Sequence, residues 1–105
     1  MDVREINVLV LAYLGDTIYE NYVRKYLVLS GIGHVDALQK KSVQYVSAKA
    51  QSKFLKEMMA MDFFTDDEID IITYKYATGL EALIGYLDLK DKKERIDKIM
   101  SFILK

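Results

Sequence analysis

From Val8 to Leu29 almost every side of a helix would be apolar: Val8 to Leu14 run unbroken, and Ile18, Tyr19, Tyr22, Val23, Tyr26, Leu27, Val28 and Leu29 follow. A helix of that kind belongs in the middle of a domain or in a subunit contact. Asn7 is its candidate cap, Asp2 with Glu5 is an earlier competitor, and Ser30-Gly31-Ile32-Gly33 stops it. Asp36 with Gln39 marks the next start, for a helix over Ala37–Val46, and Ser47 offers a restart. Val43, Val46, Ala50, Phe54 and Met58 form an apolar stripe at helical spacing. Thr65-Asp66-Asp67-Glu68 is a capping box for a short helix ending near Ile72. A second mostly apolar helix spans Thr73–Leu87; Asp91 with Glu94 opens a last one, striped by Ile96, Ile99, Met100, Ile103 and Leu104. The pattern predicts an all-α fold of about six helices with short connections, with residues 1–105 as one domain.

Composition agrees and narrows the function classes. Proline is absent and only five glycines occur, as a helical chain requires. Without cysteine there is neither a disulfide framework nor a zinc–thiolate site. The start carries acid rather than the basic opening of a secretory signal, and no apolar run approaches the ~20 residues that cross a bilayer. These features predict a soluble intracellular protein with no membrane contact. A formal net charge of -1 exerts no long-range pull on nucleic acid, so any such binding must come from local patches. Lys49, Lys53 and Lys56 make one such ridge, able to lie along phosphates; a solvated helix face has the same spacing. His34 stands alone in its loop and reads as an ordinary polar residue.

Each of the two apolar helices carries an isolated carboxylate beside a glycine: Gly15-Asp16 in the first, Glu81 with Gly85 one turn on in the other. Glycine weakens a helix interior by about 1 kcal/mol relative to alanine and marks a close approach. Two helices crossing there would bring Asp16 and Glu81 together, and two carboxylates in a low-dielectric place need a shared proton or a cation. Mg²⁺, bound through oxygen ligands and its own waters, suits that place and would assist phosphoryl chemistry. A lysine partner is the plainer alternative. Glu20 and Asp88 lie near enough in sequence to support the same pocket, although a solvated or ion-paired carboxylate is the reading favoured for each.

Tyr13-Leu14-Gly15-Asp16-Thr17-Ile18-Tyr19 resembles the signature helix of the ribonuclease III family, and Glu81-Ala82-Leu83-Ile84-Gly85 resembles that family's second acidic helix. Tyr45-Val46-Ser47-Ala48-Lys49-Ala50-Gln51 and Tyr19-Glu20 are similar to the compact bacterial branch, the Mini-ribonucleases III. Three matches in order, between about Asn7 and Leu89, are far more specific than one. The resemblance implies an all-helical, Mg²⁺-dependent endoribonuclease cutting double-stranded RNA in the bacterial cytoplasm, without an appended RNA-binding domain. It implies a homodimer whose two sites face a shared valley, each cutting one strand through a metal-activated water to leave 5′-phosphate and 3′-hydroxyl ends. The branch's role is maturation of large-subunit ribosomal RNA. The catalytic, metal-binding acids carried over are Asp16 and Glu81. The surplus of apolar residues, 51% of the chain, independently favours a dimer.

The chain departs from the family in three places. Larger members have an acid where this chain has Ala12 and another where it has Thr78, so metal ligation here would lean more on water. Thr78 would orient such a water, with Glu20 as further support. The branch also has a basic, Gly- and Arg-containing loop before its second acidic helix, whereas Asp70-Ile71-Ile72-Thr73 runs straight across. Either a segment is absent from the sequence or the loop is lost. If it is lost, duplex gripping falls to Lys49, Lys53, Lys56 and Lys75, and RNA affinity is weak. The rival reading is a non-catalytic helical dimer of the same fold that binds RNA or ribosomal particles.

Overall fold

In a computed structural model, Met1, Tyr74 and Lys75 lie outside the described residues, as do the side chains of Tyr76 and Ala77. The described chain is a short 3₁₀ turn, Val3–Glu5, and six helices: α1 Val8–Leu29, α2 Val35–Val46, α3 Ala48–Ala60, α4 Asp66–Ile72, α5 Tyr76–Leu89 and α6 Lys93–Ile103. None of the described helices is long and apolar enough to cross a membrane. The all-α expectation holds, and so does the count of about six helices.

α1 and α5 form the centre, with the most extensive contact of any helix pair. Tyr19, Val23 and Leu27 from α1 meet Leu80, Leu83, Ile84 and Leu87 from α5, all essentially buried. α3 adds Leu55 and Met58, and α6 adds Ile96, Ile99, Met100 and Ile103 on its apolar face. Burying one such side chain is worth about 1.5–3 kcal/mol, so this single cluster supplies the main drive for folding.

Both proposed caps near the start are used. Asp2 accepts from the Arg4 backbone at 3.0 Å to hold the 3₁₀ turn, and Asn7 accepts from Leu9 at 2.7 Å to open α1. Ser47 serves twice, ending α2 and capping α3 through its bond from Ala50 N–H. Other boundaries differ from the sequence reading. α2 starts at Val35, so Asp36 lies in its first turn, where its charge favours the helix dipole, and His34 takes the cap position without a side-chain bond. α5 spans Tyr76–Leu89, and Thr73, read from the sequence as its first residue, is instead the cap of α4, its N–H bonded to the Ile69 carbonyl. Asp91 closes α5 instead of opening α6: its φ is 55°, and Lys92 N–H returns to the Leu87 carbonyl in a left-handed helix ending. The stripe through α2 and α3 is also rotated, leaving Val43 exposed and burying Gln51, Leu55 and Met58.

The capping box on α4 forms as expected. Thr65 Oγ1 accepts from Glu68 N–H at 3.3 Å, and Glu68 Oε1 accepts from Thr65 N–H at 2.9 Å. Its carboxylate is also clasped by Arg95 of α6, with Nε to Oε2 and Nη2 to Oε1 both at 2.8 Å, while Arg95 reaches the Phe63 carbonyl at 2.7 Å. Burial works against the charge on Glu68, but the Arg95 and Thr65 bonds outweigh it and hold its carboxyl below the usual range. α4 is thereby tied to α6.

Candidate active site

Backbone contact sets the geometry. A Cβ placed on Gly15 would lie 1.7 Å from the carbonyl oxygen of Glu81, and one on Gly85 would lie 2.0 Å from that of Leu11. Both obstacles are main chain, which cannot swing aside, so α1 and α5 touch here only because neither glycine has a side chain. Asp16 directly follows Gly15, and the crossing brings its carboxyl within hydrogen-bonding reach of Glu81.

Burial, followed by the neighbouring Asp16, pushes the Glu81 carboxyl up from its ordinary value to about 8. Glu20, one turn beyond Asp16, adds a smaller push in the same direction, and the Gln51 amide opposes it. Among the described residues no lysine or arginine forms a salt bridge with either Asp16 or Glu81. The pair is thus left to a proton or to a cation from outside the chain.

The other residues singled out from the sequence are distributed unevenly. Glu20 is half-buried and pairs with Arg24 at 2.7 Å. Thr78 sits one turn before Glu81, and its Oγ1 is buried without a partner among the described residues. Lys49, Lys53 and Lys56 are exposed along α3, with Lys53 4.0 Å from Glu57. Lys75 lies outside the described residues. Asp88 and His34 are exposed.

Two residues of the site were not recognised from the sequence. Tyr19 is fully buried; its hydroxyl donates to the Tyr45 carbonyl at 2.6 Å, and burial, then Glu81 and Tyr45, push its ionisation well above the ordinary range. Gln51 is 3% exposed and its Nε2 donates to the next carbonyl, Val46, at 3.1 Å. Tyr19 from α1 and Gln51 from α3 therefore hold two successive carbonyls at the end of α2, beside Glu81. The signal for Gln51 was present: Gln51, Leu55 and Met58 share one helix face, and an amide in a buried stripe needs a polar reason to be there.

Among the described residues no three His, Cys, Asp or Glu side chains converge on one point. Two carboxyls meet, and two buried oxygens nearby, Gln51 Oε1 and Thr78 Oγ1, lack partners. That all-oxygen set suits a hard cation such as Mg²⁺, which keeps several of its waters and takes only one or two carboxylates from a protein. It does not suit a soft metal or a closed cage.

Residues 9–92, which include both acids, match the ribonuclease III domain. The chain is 37% identical over 122 positions to Mini-ribonuclease 3 of Enterococcus faecalis, covering 99% of this chain and 92% of that protein. It is 33% identical to Mini-ribonuclease 3 of Staphylococcus aureus, over 97% of this chain and 90% of the relative, and 40% identical to that of Brevibacillus brevis, over 90% and 82%. With the paired acids at the α1–α5 crossing inside the matched region, and relatives this similar along nearly their whole length, the chain belongs to the ribonuclease III family, whose members are endoribonucleases of double-stranded RNA.

Proposed function

We propose that this protein is a Mg²⁺-dependent endoribonuclease that cuts double-stranded or structured RNA as a homodimer of one catalytic domain per chain. The observation that carries the reading is the Asp16–Glu81 pair, forced together by the glycine crossing and without a cationic partner among the described residues. Asp16 and Glu81 would hold Mg²⁺, with Thr78 Oγ1 and Glu20 supporting the waters around it. Bound there, the ion would supply charge neutralisation at a phosphodiester and acidify a water. The protein's own part is to keep the two carboxyls aimed at one point on rigid helices.

Support for the homodimer comes from α1. Leu9, Val10 and Tyr13 stand 51%, 57% and 83% exposed on neighbouring turns, an apolar strip that a second copy would cover. Phosphate contacts are assigned to Lys49, Lys53, Lys56 and Lys75. The matched stretch of 122 positions exceeds the 105 residues of this chain, so the Enterococcus relative has residues without a counterpart here. A shortened basic loop before α5 accords with that difference, and with it a weak grip on RNA. The natural substrate we favour, a large-subunit ribosomal RNA precursor in the bacterial cytoplasm, rests on the likeness to the Mini branch.

Incubation with an end-labelled RNA duplex tests the reading. Expected are products with Mg²⁺, none with EDTA, and loss of about a hundredfold or more in rate for Asp16→Asn or Glu81→Gln with duplex binding retained. Binding without products under every condition would instead identify a non-catalytic RNA-binding dimer.

A further inference from the structure

Gln51 sits where a purely structural residue would be apolar. Its neighbours along the buried face of α3 are Leu55 and Met58, yet the side chain at this position carries two N–H donors and an acceptor oxygen. Only the nitrogen can donate to the Val46 carbonyl, so the 3.1 Å bond fixes which way the amide faces. One N–H is used there, and the amide also stands against the Glu81 carboxyl, where a donor favours the charged form. The oxygen is left over: Oε1 is buried and has no hydrogen-bond partner among the described residues. A buried acceptor left without a partner is destabilising, a penalty that a leucine or methionine would avoid. The amide is thus better suited to the site than to the core.

We propose that Gln51 is a positioning residue of this site, its amide held by the Val46 carbonyl beside the Glu81 carboxyl while its buried Oε1 accepts a hydrogen bond from a water of the bound cation's hydration shell. The inference rests on the assignment of Asp16 and Glu81 as the metal pair. It gives the chain a third fixed oxygen near a cation for which it supplies only two carboxyls. It also accounts for the Ser47 elbow: because α3 restarts immediately after α2, residue 51 reaches back over the last carbonyls of α2. Partners of this kind, once removed, weaken metal binding by about 10–100-fold.

The test uses Mn²⁺ as the probe, binding to RNA-free protein being followed by the electron paramagnetic resonance of the free ion, beside Mg²⁺ titrations of duplex cleavage. Gln51→Met keeps the length and apolar fit of the side chain. The expected result is a native thermal transition and unchanged duplex binding in EDTA, with Mn²⁺ affinity reduced at least tenfold and half-saturating Mg²⁺ raised to match. Gln51→Asn draws the amide back by one methylene and should show the same shift; it decides the matter if the Met variant fails to fold. Unchanged Mn²⁺ affinity in folded Gln51→Met or Gln51→Asn, whatever happens to stability, would overturn the proposal. Failure of the underlying reading looks different: wild-type protein that binds no Mn²⁺, or binds it equally after Asp16→Asn and Glu81→Gln, removes the metal pair itself.

Discussion

The carbonyl of Glu81 occupies the space in which Gly15 would carry its Cβ, only 1.7 Å from that atom's ideal position. The acid on α5 and the glycine preceding the acid on α1 are therefore one device: the absent side chain allows the backbones to meet, and their meeting fixes the distance between the carboxyls. Gly15→Ala must separate the helices. Overpacking of cores ordinarily destabilises by about 1–3 kcal/mol, and this contact is backbone on both sides, so the upper end or more is expected. Thermal melting should show a drop of well over ten degrees, on the scale of about 4–8 °C per kcal/mol for a chain this size. RNA cleavage should be lost even at temperatures where the variant is folded.

Stability of the metal-free protein should fall as pH rises between about 4.5 and 8. Glu81 in the folded state holds its proton up to about 8, whereas in the unfolded chain it releases it near its ordinary value of 4.5. The preference for the folded state is complete below the lower value, declines through the interval, and is gone above the upper one. Urea unfolding in EDTA at a series of pH values checks this, with Glu81→Gln expected to flatten the slope. A divalent ion competes for the same oxygens, so Mn²⁺ affinity should rise over the same interval in wild type. A slope unaltered by Glu81→Gln would assign the effect to other groups.

Arg95→Met should destabilise by about 3–5 kcal/mol, because it leaves the Glu68 carboxylate, 4% exposed, without its compensating charge. The held-down Glu68 carboxyl adds an acid-side signature: its contribution is present above its unfolded value and is lost as pH falls through the folded one. The double variant Glu68→Gln with Arg95→Met should recover much of the loss, which denaturation midpoints at neutral pH will show. Cleavage by the folded fraction should be unaffected, since neither residue touches the Asp16–Glu81 pair.

Tyr13→Glu should give a monomer. The ring is 83% exposed beside Leu9 and Val10, and a charge placed on each copy of a two-fold interface meets its own like. Sedimentation at micromolar concentration distinguishes the two states. Wild-type protein that is monomeric there would remove the dimer from the proposed function.

Much of this was legible in the sequence, for definable reasons. Asn7, Thr65 with Glu68, and the α6 stripe act through neighbours within four residues, so their local pattern sufficed. The meeting of Asp16 and Glu81 was legible because the glycines beside them only make sense at a crossing. What failed depended on contacts with distant elements or on ambiguous local chemistry. Asp91 looks like a helix opener, yet its backbone adopts φ 55° to close the preceding helix, a role an aspartate can also fill. Val43 satisfied the helical period but faces outward, since the change of direction at Ser47 breaks the phase between α2 and α3. Gln51 shares a helix face with Leu55 and Met58, a visible signal, but the purpose of its amide was not legible, because its bond to Val46 and its place beside Glu81 exist only once that elbow has formed.

The two helices either side of the 73–75 junction are anchored independently: α4 by the Glu68–Arg95 clasp, α5 by its crossing with α1, and the end of the former rests on the start of the latter, where a Cβ on Gly79 would come 2.9 Å from the Ile72 carbonyl. Neither anchor depends on how much chain links them. A longer connection between them, such as the basic loop of the Mini branch, would therefore leave the helix crossing that carries Asp16 and Glu81 undisturbed.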